Sequence, residues 1–172
     1  MKKKGTVYFF TGLAGAGKTT IGGLFYQRLK KYRPDARLFD GDQLRSSGGD
    51  RDYSTEARRR GAKGVFLQCR DLAEQGIDCV YCGIGMYADV RAWNRENIEN
   101  YKEIYIKVSM DTLYRRDQKG LYSSGVKQVV GVDLPWDEPT TPDIVVCNDY
   151  DESPETIVDR LEEQLGLLEE EA

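Results

Sequence analysis

The run Gly12-Leu13-Ala14-Gly15-Ala16-Gly17-Lys18-Thr19 constrains this chain more than any other stretch. It fits G-x-x-x-x-G-K-[ST], the Walker A pattern of phosphate-cradling loops. Glycines there let successive backbone N–H groups turn inward around phosphate oxygens. A helix that follows aims the positive end of its dipole at the same anion. Lys18 then has the reach for β- and γ-phosphates, and the Thr19 hydroxyl can ligate Mg²⁺. The flanks agree. Val7, Tyr8, Phe9 and Phe10 make a short run of β-formers just before the loop, over residues 6–11. Ile21, Leu24, Phe25 and Leu29 mark one face of a helix over residues 19–31 just after it. This context favours phosphate binding over a chance glycine turn. A dinucleotide-binding turn is excluded, because its third glycine would fall at Thr20.

The same alternation continues along the chain. Pro34 closes the first unit, and residues 36–39 read as a second strand. A long helix spans residues 54–75, with Ser54 as N-cap and Gly76 just past its end. Residues 77–84, 103–108 and 143–147 read as strands; 88–100 and 154–168 read as helices. Residues 111–116 start a further helix that leads into an irregular stretch, 118–141. Alternating strands and helices imply an α/β fold of the three-layer P-loop NTPase type. About five parallel strands would carry helices on both faces. The 172 residues show no repeat or linker, so a single domain over residues 1–172 is expected. Ligands of such sheets bind beyond the carboxyl ends of the strands.

Asp40-Gly41-Asp42 follows directly on the second strand. One carboxylate could help hold Mg²⁺ while the other accepts the proton of an attacking hydroxyl. Asp-Gly is also a common turn; beside a phosphate loop the chemical reading is the stronger one. Other chemistries are poorly supported. There are 29 acidic and 25 basic residues, net −4, so no basic excess points to nucleic acid, and Lys2-Lys3-Lys4 reads as a solvated end. The absence of histidine removes every mechanism needing an imidazole base. The four cysteines include one C-x-x-C, Cys79 and Cys82, without further ligands at zinc spacing, so buried thiols are expected. The apolar run at residues 7–10 is too short for a signal peptide, and nothing is long enough to span a membrane. A cytoplasmic protein without membrane contact is expected. No N-K-x-D guanine-reading motif is present, which favours ATP over GTP.

Four segments occur in a telling order: GLAGAGKTT (12–20), DGDQLR (40–45), RDQKGLY (116–122) and GVDLPWDEP (131–139). Together they resemble the adenylylsulfate (APS) kinase family, from Val7 to about Asn148. The resemblance implies transfer of the γ-phosphate of ATP to the 3′-hydroxyl of adenosine 5′-phosphosulfate, with Mg²⁺. It implies that Lys18 and Thr19 bind phosphate and metal, and that Asp42, supported by Asp40, is base or metal partner. It places Arg45 and Arg58 on the acceptor nucleotide, together with Ile84, Lys119 and Leu121. Arg116, Asp117 and Lys119 would lie in a mobile lid over ATP, with Arg116 near the adenine; a lid excludes water and so prevents wasteful hydrolysis. Homodimers are common in the family, so a homodimer is one expectation the resemblance brings.

The departures concentrate on one side. The family pattern F-S-x-x-D-R-x-x-N-x-R-R is matched at Tyr53, Ser54 and Arg58, but not at Ala57, Gly61, Lys63 or Gly64. The pattern I-S-P-[FY]-R appears as Ile84-Gly85-Met86-Tyr87-Ala88, without its arginine. The lid reads Ser123-Ser124-Gly125 and is shorter, and F-T-G-I is replaced by Val129-Val130-Gly131-Val132, without the phenylalanine that would stack on the acceptor's base. ATP-side motifs are kept and acceptor-side motifs are altered, as expected where the transfer machinery is shared and the acceptor pocket sets specificity. Two acceptors stay open: APS itself, or another nucleotide such as a cytidine diphosphate derivative. Arg58, Arg59, Arg60 and Lys63 could supply charge for an anionic acceptor or form a solvated helix face. A nucleotide-binding domain without catalysis is disfavoured by the retention of Lys18, Thr19, Asp40 and Asp42.

Overall fold

The computed structural model describes residues 2–41, 54–117, 120, 122, 129–132 and 135–168. Its strands are β1 Val7–Thr11, β2 Arg37–Asp40, β3 Cys79–Gly83, β4 Tyr101–Lys107 and β5 Ile144–Cys147. Its helices, among the described residues, are α1 Lys18–Tyr32, α2 Thr55–Glu74, α3 Ala88–Asn97, α4 Met110–Arg116 and α5 Pro154–Gln164. The strands form one parallel sheet in the order β2-β3-β1-β4-β5. The apolar first strand is central and wholly buried, which puts the phosphate loop at the middle of the sheet's carboxyl edge.

Period-two alternation splits the core into two layers. Tyr8, Phe10, Val80, Cys82, Ile104 and Ile106 pack with Ile21, Phe25 and Leu29 of α1 and with Ile157, Val158 and Leu161 of α5. Val7, Phe9, Cys79, Tyr81 and Tyr101 pack with Phe66, Cys69 and Ala73 of α2 and Val90 of α3. Both faces are covered, which is why the strands read as continuous apolar runs. The C-x-x-C pair is divided by the same alternation: Cys79 enters one layer and Cys82 the other. Two thiols on opposite faces cannot share a metal. Hydrogen bonding to Cys79 and burial push the Cys69 thiol above its ordinary range, which leaves it unreactive. No helix among the described residues is long and apolar enough to cross a membrane.

Several boundaries differ from the sequence expectation, the start of β4 at Tyr101 rather than residue 103 among them, and three have a visible cause. The third strand starts at Cys79 rather than residue 77, because Asp78 turns its carboxylate to the Thr6 amide at 2.8 Å and to Arg33 at 3.5 Å. Helix α3 stops at Asn97 rather than residue 100. Ile98 is extended and buried, and the Asn100 carbonyl accepts from the Val7 amide at 2.8 Å. Helix α5 gives way to a turn after Gln164, where Gly166 takes a φ of 71°.

Adjacent glycines on α1 test the packing. A Cβ on Gly22 would stand 2.4 Å from Cys82 Sγ and 3.3 Å from the Phe10 ring, whereas one on Gly23 meets nothing within 4 Å. Gly22→Ala is therefore expected to destabilise by about 1–3 kcal/mol through overpacking. Gly23→Ala is expected to stabilise by about 0.5–1 kcal/mol through helix propensity. Denaturant titrations of the two variants check both signs.

Candidate active site

Among the described residues, the starts of the helices are satisfied from within, with one exception. Ser54, Ser109 and Ser153 cap α2, α4 and α5, accepting from Ala57, Thr112 and Thr156 amides at 3.2, 3.3 and 3.2 Å. Each of these helices also carries an acid in its first turn: Glu56, Asp111 or Glu155. At α3 the Asp137 carboxylate accepts from the Ala88 amide at 3.0 Å, and Asp89 lies in the first turn. Helix α1 alone among those described starts from a glycine with neither a capping side chain nor a first-turn acid. Its leading amides and positive dipole end are left for an anion. Gly17 itself, at φ 104°, has room for no side chain: a Cβ would lie 2.8 Å from Asn148 Nδ2.

Around that helix end the loop gathers its functional groups. Lys18 is buried and its ammonium donates to the Leu13 carbonyl at 3.1 Å, from beneath the loop. Thr19, exposed on the first turn, donates its hydroxyl to Asp40 Oδ2 at 2.9 Å. Asp40 is buried at the end of β2, in register with Cys82. A hydroxyl and a carboxylate meeting beside a phosphate loop make a hard-oxygen pair of the kind that suits Mg²⁺. Among the described residues no group of three His, Cys, Asp or Glu converges, so phosphate oxygens and water would have to complete a magnesium shell.

Distant residues hold the loop's carbonyls. Asn148, just beyond β5, donates its amide to the Ala16 carbonyl at 2.8 Å, and the Tyr122 hydroxyl donates to the Ala14 carbonyl at 2.6 Å. Burial raises the Tyr122 phenol above its ordinary value, so it stays a protonated donor across neutral pH. Arg116, at the end of α4, donates to the Asn148 carbonyl at 2.6 Å. Asp117 takes a left-handed conformation at φ 32° and accepts from the Tyr122 amide at 3.0 Å. Between α1, Arg116 and the segment after β5 lies a cleft of ≈ 270 Å³, lined by Gly15, Gly17, Thr20, Arg116, Asn148 and Asp151 among others.

On the other side of the loop, Ile84 follows β3 and its carbonyl accepts from the Thr11 hydroxyl at 2.7 Å. Residues 84–88 are fastened to the segment 135–139. Arg91 is buried and donates to the Gly85 and Asp137 carbonyls. The Asp137 amide donates to the Met86 carbonyl at 3.1 Å, the Tyr105 hydroxyl donates to Glu138 at 2.9 Å, and the Trp136 ring packs on Tyr105 with centroids 5.8 Å apart. Trp136 thus packs within the protein.

The structure brings together Gly12, Leu13, Ala14, Gly15, Ala16, Gly17, Lys18, Thr19, Thr20, Asp40 and Arg116. Arg58 lies half-buried in the first turns of α2. Asp42, Arg45, Lys119 and Leu121 fall outside the described residues. Asn148, Tyr122 as an anchor of the loop, and Arg91 as a buried clasp were missed from sequence. The only signal for Asn148 is its position just past the carboxyl end of a strand.

A glycine loop running from the central strand of a parallel sheet into an uncapped helix, with a buried lysine and a threonine–aspartate pair, defines a P-loop nucleotide-binding enzyme. The chain matches the family model for adenylylsulphate kinase over residues 4–147, and it belongs to that family. It is 36% identical to cytidine diphosphoramidate kinase of Campylobacter jejuni, over 97% of this chain and 100% of that protein. It is 31% identical to an adenylyl-sulfate kinase of Picosynechococcus, over 91% of this chain and 92% of the other. The APS kinase CysC of Mycobacterium tuberculosis, solved in complex with AMPPNP and APS, superposes with a TM-score of 0.84 at 26% identity, covering 95% of this chain and 98% of its own. The protein is a kinase, a phosphotransferase with a hydroxyl acceptor.

The Asn148 bridge is open to test. Asn148→Asp replaces the donor facing the Ala16 carbonyl with an acceptor and adds negative charge beside the phosphate loop. KM for ATP is expected to rise about tenfold or more, the loss of a charge-sensitive hydrogen-bonded contact. Steady-state kinetics with ATP varied at saturating acceptor reads it.

Proposed function

We propose that this chain transfers the γ-phosphate of ATP, with Mg²⁺, to a hydroxyl of a cytidine diphosphate derivative. Cytidine diphosphoramidate, the compound in the name of the C. jejuni relative, is the leading candidate. In this reading the loop residues 12–20 hold the phosphates, Lys18 bridges the β- and γ-phosphates, and Thr19 with Asp40 holds the metal. Arg116 borders the base cleft, and Asp42 receives the acceptor's proton.

One observation carries the choice of acceptor. Position 88, where the family pattern has arginine after the third strand, is Ala88. The next arginine along, Arg91, is buried and held by two backbone carbonyls, so it does not restore that charge. The loss of the aromatic at Val129, which is buried in the core, points the same way. Without that stacking partner and that cation, a sulfated purine nucleotide loses contacts it would need in the transition state. APS is the second reading, favoured by the close superposition on an APS kinase solved with APS.

The experiment is a panel assay of ADP release with Mg²⁺-ATP against cytidine diphosphoramidate, APS and simple nucleosides. The expected result is highest kcat/KM on the cytidine compound; faster turnover on APS would replace this reading with the second. In the same assay Lys18→Ala is expected to lose roughly a hundredfold or more in kcat, because it removes charge stabilisation from the transferring phosphoryl group. Circular dichroism should remain unchanged. A Lys18→Ala variant of normal activity would refute the mechanism.

A further inference from the structure

Phosphoryl transfer runs in line, so the acceptor must reach the γ-phosphate from the side opposite the leaving diphosphate. The cleft beside Arg116 and Asn148 lies on the β4–β5 side of the phosphate loop. The acceptor therefore belongs over β2 and β3, next to Asp40, the residues 84–87 and the amino-terminal turns of α2. A nucleotide acceptor carries phosphate charge and needs a cation there. Arg91 is committed to the Gly85 and Asp137 carbonyls.

Arg59 is differently placed. It is exposed on α2, its guanidinium carbon stands 4.4 Å from the centroid of the Tyr87 ring, and it pairs with Asp89. Tyr87 ends the loop after β3 and is the N-cap residue of α3. The ring holds the guanidinium beside the loop after β3, and the ion pair engages Nη1 alone. A guanidinium has five N–H donors, so most of its hydrogen-bonding edge remains for a second anion. The same kind of contact recurs further along α2, where Lys63 and Arg70 lie 5.3 and 5.7 Å from the Trp93 ring. Those contacts join α2 to α3 away from the strand ends. They show that a cation on a ring is a packing device here, and of these contacts only the one at Tyr87 involves the loop after β3.

We propose that Arg59, held over the Tyr87 ring, is a cation that binds the phosphate of the nucleotide acceptor and so sets acceptor specificity. This rests on the reading of the chain as a nucleotide kinase. A guanidinium presenting parallel N–H groups matches a phosphate, and a stacked one loses less freedom on binding.

The test uses the full-length enzyme, Mg²⁺-ATP and whichever nucleotide of the panel turns over best. Arg59→Gln is expected to raise the acceptor KM about tenfold or more, with the ATP KM and melting temperature unchanged. Arg59→Lys, which keeps charge but not the flat fork, should fall between wild type and Arg59→Gln. Arg70→Gln, which removes a cation–ring contact away from the site, should leave both KM values alone. An unchanged acceptor KM in Arg59→Gln overturns the inference. So does a parallel rise of both KM values with a lowered melting temperature, which would mark Arg59 as packing only. Absence of turnover by the wild type on every nucleotide overturns the functional reading and this inference with it.

Discussion

The open amino end of α1 is the constraint around which the rest of this molecule is arranged. A helix start with no cap and no acid leaves backbone N–H groups unsatisfied, and that arrangement is stable only when something fixes the loop before it. The chain fixes it from three directions. The central strand delivers the loop from below, Lys18 holds the Leu13 carbonyl, and Asn148 and Tyr122 hold the Ala16 and Ala14 carbonyls. Carbonyls drawn outward by donors leave the amides facing inward, which is the polarity an anion requires. The protein has thus organised its electrostatics before any phosphate arrives, and a preorganised field needs no rearrangement at the moment of transfer.

Legibility in the sequence followed the range of the interactions. The phosphate loop could be read directly because its requirements are local: glycines, a lysine and a hydroxyl between an apolar strand and an amphipathic helix. Ser54 as a cap and Gly76 as a terminator were legible for the same reason, and Ser54 does accept from Ala57, while Gly76 takes φ 87°. Asp40 was legible as a candidate only because the loop made it plausible. Asn148 was not, because its partner lies 132 residues away and nothing in its own neighbourhood announces it. The strand and helix ends misjudged at Cys79 and Asn97 were set by Asp78 and by burial of Ile98, which are tertiary facts.

Two hydrogen-bonded networks divide along the sheet. On the β4–β5 side, Arg116 and Asn148 link the end of α4, the segment after β5 and the phosphate loop into one hydrogen-bonded chain. On the β3 side, Arg91 and Asp137 bind residues 85–88 to the segment 135–139, and Tyr105 of β4 holds Glu138. The first network touches the loop through backbone carbonyls, which any side-chain sequence provides. The second frames a surface whose character depends on side chains at positions 87 and 88. This is why a family can keep one half nearly fixed while rebuilding the other.

Each half is nevertheless fastened to a loop at a strand's carboxyl end. Tyr122 is fastened to Asp117 and to the phosphate loop, and Asp137 is clasped to the loop after β3. The clasp also explains why Arg91 is buried without a carboxylate partner among its described hydrogen bonds: its role is to fix backbone geometry. Charge offered to a substrate must then come from a neighbouring helix, and α2 brings arginines to that edge. On the proposed reading, acceptor recognition is in this sense a consequence of helix packing, since the helix that covers the sheet would also supply a cation to the ligand.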